Sequence, residues 1–545
     1  MRDQKPEVGL LPWGRLFACV PDCIRHGDSV ASSLTVQSSL GPRSAEIAQI
    51  ALRKMLKLQP ASKPPFFPAA TAILAAALLL TAGCNVGPRY NRPLTPTTPS
   101  FKELPPGNDR WKASTPRDGE IKGKWWEIFG DPQLNSLEEA VIVSNQNIKQ
   151  AEANFRQARA LVRVNRSAYF PTIGSSPGIT NSYSPANSRS PSVNTVFSIP
   201  VTASWEPDFW GRVRLSVENA TELAQASAAT LENTRLLYQT DLAVDYFELL
   251  GTDMQERVLD DTIVAYDKAL QLTINRFNGG VASQADVAQA RTQLDTTRAD
   301  RTDLNVTRAQ YEHAIAILTG HPPSELTIPP GKISSPPPPV PVGLPSQLLE
   351  RRPDIASAER QVAALNAEVG LAETAYYPTL TLSATGGLEG SGLSTLFRWP
   401  SRFWTVGPTV SQTLFDFGKR KAQVLQAEAA YDSAVAGYRQ SVLTAFQEVE
   451  DNLAALHFLE TEAAQEDIAV REAQRSVALE LDRYKGGVDS YLNVITTQTI
   501  ALGDERAAVT ILQRRLVAAV NLVTALGGGW NSANLPNAEQ IRRGQ

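Results

Sequence analysis

Metal-binding and redox-active side chains are scarce, with three cysteines, three methionines and four histidines in 545 residues. Cys19 and Cys23 precede the first address signal and leave Cys84 alone in the mature chain, which excludes a disulfide framework and a thiolate metal site. His26, His313, His321 and His457 are scattered, and no HExxH, Ser/His/Asp series or Walker loop stands out, so the chain is expected to be no enzyme and to need no cofactor or metal. A formal net charge of −4 without a basic block argues against nucleic acid as a partner. The apolar run Ala69 to Leu80 is too short to cross a bilayer as a helix.

Proline is missing where the chain is most regular. Arg212 to Arg276 and Lys419 to Arg483 each run 65 residues without one, with a single internal glycine, Gly251 or Gly437. Both are rich in Ala, Leu, Glu, Gln and Arg, which lose least on entering a helix. Each predicts one helix roughly 100 Å long at 1.5 Å per residue, far more than a compact core requires. A shift of 207 residues carries Gly211 to Gly418, Gly280 to Gly487, Pro171 to Pro378, Arg276 to Arg483 and Gly320 to Gly527. The chain is therefore a tandem duplication of one multi-element unit, with a period too long for a solenoid.

From Met55, two lysines, the apolar run and small residues before Cys84 make a secretory signal. Leu80-Thr81-Ala82-Gly83-Cys84 has the form of a lipobox, with Thr81 where leucine is usual, and Cys84 is the candidate lipidation site. Residues 1–54 are a patternless, doubtful leader expected to be absent from the mature protein. Tryptic peptides from that region in the mature protein would overturn this expectation.

Between the helical stretches the apolar period changes from about 3.6 to 2. Phe197, Ile199, Val201, Ala203 and Trp205 alternate with polar residues, as do Leu380, Leu382, Ala384 and Leu388, and then Trp404, Val406, Val410 and Leu414. With a leading strand near Ile173 to Tyr183, this predicts two hairpins, over about 169–208 and 376–416, and four strands. Four strands cannot close a barrel, and lipid does not tolerate an open edge. Either several chains share one barrel or the hairpins belong to a soluble sheet, which shows the same alternation.

Asp208-Phe209-Trp210-Gly211 and Phe415-Asp416-Phe417-Gly418 are the strand-to-helix turns, with glycine suited to the change of direction. A 4-3-4-3 seam runs through Leu236, Thr240, Ala243, Phe247 and Leu250, and a second through Val442, Phe446, Val449, Leu453 and Leu456. The long helices end at Gly279-Gly280 and Gly486-Gly487. The expected order is a signal over 55–83, an extended arm and aromatic anchor over 84–130, repeat 1 over 131–320, a Pro-rich linker over 321–345, repeat 2 over 346–530 and a polar tail over 531–545. Each repeat consists of a first helix (about 134–168 or 345–375), a hairpin, a long helix and a return helix (about 283–318 or 490–526). Glu448, Glu450 and Asp451 read as a solvated or lumen-facing surface.

Several motifs together resemble the outer-membrane factor family, in its lipoprotein branch serving resistance-nodulation-division efflux pumps. They are Val86-Gly87-Pro88-Arg89-Tyr90, Trp126 with Phe129 and Asp131-Pro132, Asp208-Phe209-Trp210-Gly211-Arg212, Leu348-Leu349-Glu350-Arg351-Arg352-Pro353-Asp354-Ile355, Phe446-Gln447-Glu448-Val449-Glu450-Asp451-Asn452-Leu453 and Ala525-Leu526-Gly527-Gly528-Gly529-Trp530. The resemblance implies an α+β membrane protein: a homotrimer with four strands per protomer in one outer-membrane β-barrel, continued by an α-helical barrel across the periplasm of a Gram-negative bacterium. It implies a passive exit duct whose tips, at Gly279, Gly280, Gly486 and Gly487, meet a periplasmic adaptor and an inner-membrane pump. It also places aperture-closing residues near those tips, where alignment selects Asp286, Asp489, Tyr491 and Asn493. Helix capping is the alternative role for these four. The alternatives for the whole chain are an exit channel for secreted proteins and a pore-less secreted coiled-coil scaffold.

Overall fold

The computed structural model describes residues 86–95, 98, 100–103, 123–184, 192–333, 336–340 and 348–543. The leader, the signal and Cys84 lie outside the described residues. After a 3₁₀ turn, Trp125–Phe129, come helices α1 (Pro132–Ser144) and α2 (Gln146–Ser167), and strands β1 (Thr172–Ser175), β2 (Gly178–Ser184) and β3 (Ser192–Trp205). The long helix α3 (Arg212–Asn278) and its return helix α4 (Gln284–Leu318) complete repeat 1. Repeat 2 contains α5 (Leu348–Arg351), α6 (Pro353–Thr374), β4 (Thr379–Gly390), the single turn α7 (Leu393–Leu396), β5 (Arg402–Ser411), α8 (Lys419–Lys485) and α9 (Tyr491–Ala525), and a short α10 (Ala538–Arg543) follows.

Both long helices form as single elements of 67 residues, two residues beyond the proline-free stretches at their C-terminal ends. Each is launched by an aspartate in the turn before it. Asp208 accepts the Val213 and Arg214 amides at 2.9 Å, and Asp416 accepts the Gly418 amide at 3.1 Å and the Arg420 amide at 3.2 Å. These carboxylates satisfy donors that have no partner within the helix and oppose the positive end of its dipole. Gly211 and Gly418 hold φ at 80° and 90°, a left-handed conformation that a Cβ would strain. The predicted seams are the packed faces: Leu236, Thr240, Ala243, Phe247 and Leu250 are all buried, as are Val442, Val449, Leu453 and Leu456.

The first helix of each repeat, expected as one rod, is broken at Asn145 and at Arg352, positions related by the repeat. Asn145 caps α2 through Oδ1, accepting the Asn147 and Ile148 amides at 2.9 and 3.1 Å, while its Nδ2 donates to the Leu318 carbonyl at 2.9 Å. Arg352 donates from Nη1 to the equivalent Ala525 carbonyl at 3.0 Å. The break thus ties the short helices to the end of the return helix. Gly320 and Gly527 sit against the backbones of Ser144 and Arg351 so closely that a Cβ would lie 2.5 and 2.0 Å from a carbonyl oxygen.

The core lies at mid-height, where Trp125, Trp126, Phe129 and Leu134 pack against Tyr246, Phe247 and Leu250 of α3 and Leu516 and Val520 of α9. The linker is clamped beside it. Asp253, whose side chain is 0% exposed, accepts Arg308 Nε and the Gly331 amide at 2.7 Å, and Arg308 Nη2 reaches the Ile328 carbonyl. Asp253→Ala would leave the Arg308 charge short of its buried partner and is expected to lower stability by about 3 kcal/mol, read as a lower unfolding midpoint. Glu448 and Glu450 are not a plain solvated face, because Glu448 pairs with Arg352 at 2.6 Å and Glu450 accepts the Lys102 and Glu103 amides at 2.8 and 3.0 Å.

The sheet has the order β1/β2, β3, β4, β5, all antiparallel. The leading strand, expected to be continuous, is split into β1 and β2 at Ser176-Pro177, where proline has no N–H to give a ladder. Leu414, expected in the last strand, lies beyond its end at Ser411. β3 and β4 pair the two repeats, with Ala203 opposite Ala384.

Candidate functional site at the sheet edges and the helix tips

Among the described residues, β1/β2 and β5 each pair on one side only. The outward residues of β5 are strongly exposed, Trp404 at 79%, Val406 at 68% and Val410 at 67%. Five strands in four positions, with β1 and β2 sharing one, and two free edges define a segment of a larger barrel, because a hydrophobic open edge is an aggregation site in water and is not tolerated in lipid.

At the opposite end of the long helices the two return turns differ in chemistry. In repeat 1 the turn closes with Gly280 at φ 76°, and Ser283 and Asp286 form a capping box, each side chain accepting the other's amide at 3.1 and 2.8 Å. In repeat 2, Gly487 takes φ 72°. Asp489 gathers the Ser490 amide at 2.8 Å, Asn493 Nδ2 at 2.6 Å and Arg483 Nη2 at 3.0 Å. The Ser490 amide, followed by Asn493 and Arg483, holds the Asp489 carboxyl below the usual range.

Asp489 and Asn493 are therefore brought together with Arg483, while Asp286 is engaged with its own helix start. Tyr491 is packed inside the tip of the protomer. It is 2% exposed, inclined against Tyr484 with ring centroids 5.3 Å apart, in a tip core with Tyr266, Leu270, Val287 and Leu294. Burial pushes its hydroxyl up to about 12. Gly279, Gly280, Gly486 and Gly487 occupy the two turns as expected.

Arg276 was visible in the sequence only as the repeat mate of Arg483. It crosses between repeats, donating from Nη1 to the Tyr484 and Lys485 carbonyls at 2.5 and 3.1 Å, with its guanidinium 4.5 Å from the Tyr484 ring centroid. One long helix thus caps the C-terminus of the other, where the dipole favours a cation. Among the described residues, no group of His, Cys, Asp and Glu is placed to hold a metal ion.

Long paired helices under an open, apolar-faced sheet segment define a protomer of an outer-membrane channel. The outer membrane efflux protein family model matches residues 137–321 and 344–528, its second copy beginning and ending 207 residues after its first (344 against 137, 528 against 321). The chain belongs to that family, whose members are transport channels, and it is an outer-membrane efflux protein. It is 31% identical over 463 residues to the probable efflux pump outer membrane protein SepC of Pseudomonas putida, covering 83% of this chain and 95% of that one. It is 30% identical to the pyoverdine export outer membrane protein OpmQ of Pseudomonas aeruginosa, covering 78% and 92%. Of solved structures, the outer-membrane channel OprN matches with TM-score 0.77 at 28% identity, over 82% of this chain and all of that one. The Campylobacter jejuni CmeC channel shares the fold at TM-score 0.78 and 22% identity, over 85% and 98%.

Proposed function

We propose that three copies of this chain assemble into the exit duct of a tripartite efflux system. A periplasmic adaptor and a resistance-nodulation-division pump of the inner membrane engage the turns at Gly279-Gly280 and Gly486-Gly487. The observation that carries the reading is the pairing of two free sheet edges with two 67-residue helices in one protomer. The edges require neighbours, and the helices supply reach of about 100 Å, several times a bilayer core. The duct is passive and performs no catalysis, with energy and substrate choice residing in the pump. SepC and OpmQ are named for efflux and for pyoverdine export, which supports small organic molecules as the cargo. A lipid chain on Cys84 anchors each protomer. Three residues of the described arm lie along the wall: Gly87 against Gly370, Pro88 accepting Asn366 at 3.0 Å, and Tyr90 donating to Glu359 at 2.5 Å.

The gate lies at the tips, where Asp489 with Arg483 and Asn493 holds the second turn and Asp286 fixes the start of α4. Purified protein in planar bilayers is expected to conduct as a trimer. Asp286→Ala combined with Asp489→Ala is expected to raise that conductance and weaken its response to divalent ions. A monomer without conductance would leave only the pore-less scaffold, and unchanged conductance in the double variant would remove the gate assignment.

A further inference from the structure

We infer that the join between β3 and β4 inside the protomer is the template for the join between protomers, with β5 of one copy pairing to β1/β2 of the next in a fixed register. This rests on the trimeric reading above and adds which residues meet. The hairpins obey the 207-residue shift without a gap: Thr172 faces Ser204 in the first, and Thr379 faces Ser411 in the second. The β3–β4 join links the end of repeat 1 to the start of repeat 2. The open edges, the end of repeat 2 and the start of repeat 1, are the same two surfaces.

Shifting each observed β3–β4 pair by one repeat gives the register. Phe197 opposite Gly390 becomes Trp404 opposite Tyr183, Ile199 opposite Leu388 becomes Val406 opposite Asn181, and Thr202 opposite Thr385 becomes Thr409 opposite Gly178. The outcome has a chemical check that the repeat does not impose. On one face Trp404, Val406, Pro408 and Val410 meet Tyr183, Asn181, Ile179 and Pro177, mostly apolar. On the other, Thr405, Gly407, Thr409 and Ser411 meet Ser182, Thr180, Gly178 and Ser176, small or polar without exception. A slip by one residue would set lipid-facing against lumen-facing side chains along the whole seam. Trp404 and Tyr183 are 79% and 66% exposed in the protomer, and this register makes them a cross-strand aromatic pair.

The base of the join repeats as well. Trp210 stacks on Tyr377 with centroids 4.9 Å apart and donates from Nε1 to the Pro378 carbonyl at 2.7 Å. The shifted residues are Phe417 and the Phe170-Pro171 pair of the partner subunit. Phe417 and Phe170 are 92% and 71% exposed in the isolated chain, and Phe417 holds φ at 54°. Phenylalanine keeps the ring contact and loses the hydrogen bond, so the intersubunit join has one bond fewer at its base than the internal one.

The test is oxidative cross-linking of the full-length chain in membranes, with Thr409→Cys plus Gly178→Cys and Val406→Cys plus Asn181→Cys. The two pairs fall in the two alternating classes of antiparallel pair, so at least one brings its Cβ atoms near disulfide spacing. Thr202→Cys plus Thr385→Cys is the internal control, and single-cysteine variants show the background from native cysteines. The expected result is a reductant-sensitive shift to dimer and trimer mobility for the tested pairs, with only intramolecular thiol loss in the control. Preferential linking of Thr409→Cys to Ser176→Cys or Thr180→Cys would overturn the register and leave the trimer standing. No intermolecular link with any pair, together with monomer sedimentation, would overturn both.

Discussion

Arg276→Ala is expected to raise the open probability of the reconstituted channel about tenfold or more. The arginine runs from the end of α3 to the last carbonyls of α8, and it holds them with two hydrogen bonds and a ring contact. Charge-assisted bonds of this kind are worth about 1.5–3 kcal/mol, and each 1.4 kcal/mol is a factor of ten in an equilibrium. In a symmetric assembly every protomer loses its latch, so the per-subunit effect compounds. If the tips open by moving α3/α4 relative to α8/α9, this bond must break. Single-channel recording at fixed salt checks the outcome. Arg276→Lys separates charge from geometry, because an ammonium still favours the helix C-terminus but cannot offer the planar fork that spans two carbonyls and lies over Tyr484. It is expected to fall between the wild type and Arg276→Ala. Conductance unchanged in Arg276→Ala would show that the latch is not what holds the aperture.

The comparison of the two tips explains why this residue was not legible in the sequence. The 207-residue shift makes Arg276 and Arg483 equivalent, yet Arg483 turns to Asp489 in its own loop while Arg276 leaves its loop for the other repeat. Two positions differ: Arg483 pairs with Asp489 at 3.0 Å and with Glu480 at 3.6 Å, and their repeat mates are Ala282 and Thr273, so repeat 1 lacks both acids that retain the arginine. Composition and period were enough for the long helices, the packed seams and the alternating strands, because those follow from local propensity and from which face is buried. They were not enough for the breaks at Asn145 and Arg352, where the competing partner is a carbonyl at the end of a return helix far along the chain. Nor did they give the inward direction of Tyr491, which depends on where the two helix pairs touch. The asymmetries between the repeats, at Asp489 against Ala282 and at Trp210 against Phe417, are where the contacts of one repeat depart from those of the other.

Glu138→Gln is expected to stabilise the protein at neutral and alkaline pH and to flatten its pH dependence. Glu138 lies on the buried stripe of α1 with Leu134, Leu137 and Val141, is 0% exposed, and neither carboxyl oxygen has a hydrogen-bond partner. Burial alone pushes its carboxyl up to about 9, against about 4.3 for an unfolded chain. Between those values the native protein holds a proton that the unfolded chain has released, so folding stability falls as pH rises from about 4.5 and levels off only above the folded value. At 1.36 kcal/mol per unit, the upper bound across the window is about 6 kcal/mol, with roughly half of it already lost at pH 7. Glutamine has nearly the same shape and nothing to titrate, so its advantage over the wild type should be small at pH 5 and grow steadily to pH 9. Unfolding midpoints of both proteins in the same detergent, taken at pH 5, 7 and 9, measure that divergence. Parallel curves would mean that the carboxyl is solvated or paired in solution and that the stripe on α1 is not closed around it.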